Sequence, residues 1–112
     1  MKMFYTAILA ISFFSCSKPV SEPATVDCTG PAKSFSNDVS PIIQRTCNDD
    51  SGCHGQGSTN GPGPLLTYPQ VFNGRLAIRA AVASGRMPLN GNLSSADKNA
   101  ILCWIDNGAL NN

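Results

Sequence analysis

The sequence has little charge, one histidine and no apolar run long enough to cross a bilayer. Charged residues make up 13% of the 112 positions, with eight basic and seven acidic side chains. No basic run is present, which argues against nucleic acid as a partner. The longest apolar stretch, residues 4–14, is interrupted by Thr6 and Ser12, and a membrane helix needs roughly 20 apolar residues. No segment alternates with period two over a useful length, so a β-sheet is not expected. No internal repeat occurs. No side-chain set resembles an acid–base pair or an activated nucleophile around an open pocket, so an enzyme is not expected.

The chain's start has a clear signature. A short basic beginning, Met1-Lys2-Met3, followed by that brief apolar run reads as a secretory signal over residues 1–15. Phe13-Phe14-Ser15-Cys16 resembles a bacterial lipoprotein cleavage box, which would make Cys16 the lipidated N-terminus. The plain alternative is an ordinary signal peptide with Cys16 as a spare thiol. Either way roughly a hundred residues remain, enough for one small domain. A core of that size is marginal, so covalent help is expected.

Residues 16–33 hold three prolines among Ser, Thr and Glu and read as a flexible tether. The domain proper is expected over 34–112. Phe35, Val39, Ile42, Ile43 and Thr46 fall at helical spacing, with Pro41 tolerable only in a first turn, which predicts a helix ending near Cys47. Residues 48–64 contain five of the ten glycines and are expected to form a long loop wrapped around something. Thr67 and Gln70 read as a capped helix start. Gly74 is expected to separate that helix from a second one over 75–83, which Gly85 closes. Ser94, Asp97 and Gly108 bracket a last helix with Ala96, Ala100, Ile101, Trp104 and Ile105 on its apolar face and Cys103 at the edge. The fold is therefore expected to be all-α, with three to four short helices.

Cysteine supplies the chemistry. Cys47 is followed by Cys53-His54, directly after a predicted helix. Two thiols followed by an adjacent histidine are what covalent haem attachment requires: the thiols add to the vinyl groups and the imidazole binds iron. The usual spacing is C-x-x-C-H, whereas here Asn48-Asp49-Asp50-Ser51-Gly52 separates the cysteines. The extra residues would have to bulge outward, and their composition is turn-forming. Attachment through Cys53 alone is the variant case. A second axial ligand is commonly methionine. Met87, in Gly85-Arg86-Met87-Pro88, is the one methionine beyond the signal. Its bland alternative is a gap-filling core residue.

Cys28 and Cys103 remain, one before the first helix and one on the last. Antiparallel packing would bring them together as a disulfide in an oxidising compartment. A competing arrangement places zinc on Cys47, Cys53, His54 and one of these two. Arg75, Arg79 and Arg86 lead up to Met87, and any of them could pair with a haem propionate. Leu65, Leu66, Tyr68, Phe72, Ile78, Val82, Leu89 and Trp104 could line a crevice or form ordinary core.

In their order and spacing these pieces resemble the class I cytochrome c domains, most closely the exported cytochrome c-like lipoproteins of Bacteroidetes. The carrying segments are Phe35-Ser36-Asn37-Asp38-Val39-Ser40-Pro41-Ile42-Ile43-Gln44, Cys47 with Ser51-Gly52-Cys53-His54-Gly55, Gly85-Arg86-Met87-Pro88 and Ala100-Ile101-Leu102-Cys103-Trp104-Ile105-Asp106-Asn107-Gly108-Ala109. The resemblance implies a small fold around one covalent haem c, with His54 and Met87 on iron and the first and last helices crossing. It also implies electron transfer to a redox protein partner in the cell envelope, by a monomer whose membrane association runs through its lipid. Two alternatives stand beside it. One is a haem-free, disulfide-stapled lipoprotein; the other is an electron-transfer domain serving a dehydrogenase or peroxidase.

Overall fold

The computed structural model describes residues 25–112. The expected signal, Cys16 and the first part of the tether lie outside the described residues. Within them stand three α-helices, α1 (Ser40–Thr46), α2 (Tyr68–Ala83) and α3 (Ser95–Asp106), and no strand. A π-helical segment, Phe35–Val39, leads straight into α1. At this level the all-α expectation holds.

Local chemistry explains each boundary. Ser34 caps the π segment by accepting from the Asn37 N–H, while the Asp38 carboxylate accepts from the Ser34 N–H at 2.7 Å. Pro41 is the second residue of α1 and follows that wider turn, so its missing N–H is accommodated early in the helix. Gln70 reaches back to the N–H groups of Thr67 (3.1 Å) and Leu66 (2.8 Å), which fixes the start of α2. Ser94 caps α3 by accepting from Asp97 N–H, and Gly108 closes that helix at φ +103°.

One boundary differs from expectation. Gly74 does not break the chain, and α2 runs through it for 16 residues. The glycine is buried, and a Cβ there would lie 2.8 Å from Cγ of Pro62. Its absent side chain lets the long loop lie against the helix.

Packing then closes the domain. Trp104, Ile101 and Leu102 of α3 are almost fully buried with Val39, Ile43 and Val71. Phe35 stacks near both Tyr68 (5.2 Å between ring centroids) and Trp104 (5.4 Å), so the first helical run, α2 and α3 share one aromatic cluster. Asn112 accepts from the N–H groups of Phe35 and Ser36 at the start of the π segment. Arg45 bridges to Asp97 at 3.0 Å, so α1 also touches the start of α3. Cys28 is disulfide-bonded to Cys103, with 5.4 Å between their Cα atoms. The expected pairing is therefore present, and Cys103 is buried rather than marginal on its helix.

Candidate functional site

The chain from the end of α1 to the start of α2 forms a built loop. The Asp50 carboxylate accepts from the N–H groups of Gly52 (2.7 Å) and Cys53 (3.0 Å). Its carbonyl accepts from Cys53 and Gly55. Gly55 is packed so tightly that a Cβ would lie 2.7 Å from the Asp50 backbone. Buried Ser58 donates to the Cys53 carbonyl, and Asn60 donates to the Gly52 carbonyl at 2.7 Å. These contacts fold the residues between the two cysteines into a closed turn, of which Asp49 and Gly52 line the cavity beside His54.

Its consequence is a restored register. With C-x-x-C-H spacing, the histidine N–H lies four residues beyond the first cysteine carbonyl, the helical hydrogen-bond distance. Here His54 N–H donates to the Cys47 carbonyl at 2.9 Å, across the longer spacer. The intervening residues make their turn while this bond holds the ends together.

His54 is 8% exposed. Its Nδ1 lies 3.0 Å from the Gly63 carbonyl oxygen. A carbonyl only accepts, so Nδ1 carries the proton, and in the neutral ring the lone pair is on Nε2. Among the described residues Nε2 has no hydrogen-bond partner. The His54 carbonyl accepts from Leu65 N–H at 2.8 Å, which anchors the far end of the loop.

A cavity of about 650 Å³ opens beside this imidazole. Cys47, Cys53, His54 and Met87 all line it, together with apolar Leu65, Ile78 and Val82. The structure thus brings together all four residues expected to hold a cofactor. Cys47 and Cys53 are both free thiols, the first half-buried and the second exposed. Burial pushes the Cys47 thiol up from its ordinary value, against a smaller opposite effect of the Thr46 hydroxyl. Met87 is set by the turn that ends α2: Gly85 takes φ +74°, and Met87 N–H donates to the Ala81 carbonyl at 3.1 Å. A smaller space of about 90 Å³, bounded also by Leu93 and Lys98, shares Val82, Met87 and Pro88 with the cavity lining.

Other expectations sort themselves here. Leu65, Ile78, Val82 and Leu89 line the cavity, whereas Tyr68, Phe72 and Trp104 belong to the core or pack on it. Arg75 lies 3.9 Å over the Phe72 ring, and Arg79 makes a two-pronged pair with Asp106 at 2.6 and 2.8 Å. Arg86 alone of the three reaches the cavity lining. The zinc arrangement loses its outlying ligands, because Cys28 and Cys103 are bonded to each other. Among the described residues no three His, Cys, Asp or Glu side chains group as a site for a bare ion.

Sequence reasoning missed Asp50, Gly55, Ser58 and the Gly63 carbonyl. Asp50-Ser51-Gly52 carried a turn signal that pointed toward the first; a backbone carbonyl carries none. In comparisons with known proteins, no family model, no curated protein and no solved structure matches this chain.

Proposed function

We propose that this protein is an electron-transfer haem protein, a mono-haem c-type cytochrome of the cell envelope with a small cytochrome c-like fold. The observation that carries the reading is His54: buried, held through Nδ1 by Gly63, with no hydrogen bond at Nε2 among the described residues, and lining a cavity that two free cysteines and one methionine share. The donor set fits the group. Two thiols and an imidazole are what covalent attachment needs, and the cavity lies within the roughly 300–1,000 Å³ of cofactor sites.

In this reading Cys47 and Cys53 would hold haem c covalently, while His54 and Met87 would bind its iron. The iron supplies a one-electron couple. The Gly63 carbonyl favours the tautomer protonated at Nδ1 and fixes the ring, so that Nε2 would be the nitrogen available to the iron. Leu65, Ile78 and Val82 exclude water, and the methionine thioether favours the reduced state; both raise the potential. Leu89, 75% exposed at the cavity lining, leaves an edge for a redox protein partner. An export signal and a lipid on Cys16 would place the carrier in the envelope, as a monomer.

The test is a pyridine haemochrome spectrum of the purified protein, which also reports how many thioethers formed. The expected result is haem that survives acid–acetone extraction in the parent, is held by a single thioether in Cys53→Ser, and is freed in the variant carrying both Cys47→Ser and Cys53→Ser. A parent-like thioether count in Cys53→Ser removes Cys53 as an attachment point. A parent without any haem band returns the protein to the disulfide-stapled class.

A further inference from the structure

We propose that Arg86 receives a carboxylate of the cavity's occupant and is the positioning residue for a haem propionate; the inference rests on the haem reading above. The residues lining the cavity include only two with fixed charge, Arg86 and Asp49, beside the titratable Cys47, Cys53 and His54. The other arginines among the described residues are committed elsewhere. Arg45 pairs with Asp97, Arg79 with Asp106, and Arg75 stacks on Phe72 while donating to its carbonyl at 2.8 Å. The Arg86 guanidinium makes no hydrogen bond or ion pair among the described residues; only its backbone N–H is bonded, to Ser84 Oγ at 3.4 Å.

Its backbone is nonetheless held on both sides. Gly85 N–H donates to Val82, and Met87 N–H donates to Ala81. Arg86 is exposed and lines a largely apolar cavity from a fixed turn, and its unengaged guanidinium is free to offer a planar, two-pronged site to a carboxylate there. Asp49, on the separate loop between the two cysteines, repels the same group. The two charges together decide which part of the cavity takes the acidic edge of a cofactor that is apolar elsewhere. The adjacent cation also opposes the extra positive charge of oxidised iron, so Arg86 raises the potential.

The test uses the purified haem-loaded protein and three variants: Arg86→Gln, Arg86→Lys and Arg79→Gln. Haemochrome content is read first, then the midpoint potential and the resonance Raman bending mode of the haem carboxylate chains. Arg86→Gln is expected to lower the potential and shift the bending mode downward. Arg86→Lys is expected to keep most of the potential, because the charge stays, while moving the bending mode, because the two-pronged geometry is lost. Arg79→Gln should leave both at parent values. A parent-like bending mode in Arg86→Gln or in Arg86→Lys overturns the assignment, and the lysine variant decides the matter if the glutamine variant retains no haem. An equal drop in potential for Arg79→Gln also overturns it, since overall charge would then suffice. A parent lacking covalent haem is seen separately in the haemochrome and takes the haem reading down with this one.

Discussion

A metal-ligating imidazole commonly hydrogen-bonds through one nitrogen and binds through the other, and His54 is compatible with that pattern: Nδ1 lies on the Gly63 carbonyl and Nε2 has no hydrogen bond among the described residues. The sequence made this histidine conspicuous because it adjoins Cys53. Its orienting partner was not legible, because a glycine carbonyl nine residues away is selected by the loop's path and not by any side chain. Met87 was legible by elimination, and the structure gives it a place in the lining of both spaces. A thioether on ferric low-spin iron gives a weak charge-transfer band in the near-infrared. On the proposed haem reading, Met87→Ala is expected to abolish that band, open the reduced iron to carbon monoxide and lower the midpoint potential. If the folded parent shows no such band and the variant's potential is unchanged, the second ligand is another group or absent.

At the scale of elements, caps were readable and one interior was not. Ser94, Gly108 and Gln70 act through neighbours in sequence, so their roles follow from spacing. Gly74 was misjudged because glycine's low helix propensity points to a break, whereas its reason is a contact with Pro62 that spacing does not reveal. Gly74→Ala sets the two effects against each other. Propensity alone would stabilise α2 by about 1 kcal/mol, but a methyl 2.8 Å from a stiff proline ring forces the loop away. Overpacking of that kind costs about 1–3 kcal/mol, so net destabilisation is expected in denaturant unfolding, together with a perturbed cavity. A more stable variant would mean that the loop is free to yield. The α2–α3 clamp adds a pH effect. Arg79 holds the Asp106 carboxyl below its usual value, mainly through their hydrogen bond. A lowered folded pKa contributes stability above the unfolded value, near 4, and loses it as pH falls through the folded one. Arg79→Gln should therefore flatten the acid limb of a stability–pH profile below about pH 4, by a small amount because the pair is solvent-exposed.

Over the whole molecule, three short helices and a long loop leave a core that depends on what ties its ends. The helical class was visible in the sequence, through the periodicity of the first run and the caps of α2 and α3. The loop's course was not, because bonds such as His54 N–H to the Cys47 carbonyl and Leu65 N–H to the His54 carbonyl join backbone groups with no residue signature. The Cys28–Cys103 pairing was visible because two odd cysteines flank one domain. It closes a span of 75 residues, which by the chain-entropy estimate contributes about 4 kcal/mol through the unfolded state. Neither cysteine lines the cavity, so stability and site are separable here. Cys28→Ser is the cleaner variant, because Cys28 is exposed and Cys103 is buried. Its midpoint of thermal unfolding should fall by about 15 °C or more, while the folded protein at room temperature keeps the parent's cavity and, on the proposed haem reading, the parent's haem spectrum. Reductant should bring the parent to the same midpoint and leave the variant where it is. A parent whose midpoint ignores reductant would show that the two chain ends are held by packing alone: by Val26 against the core and by Asn112 against the first helical turn.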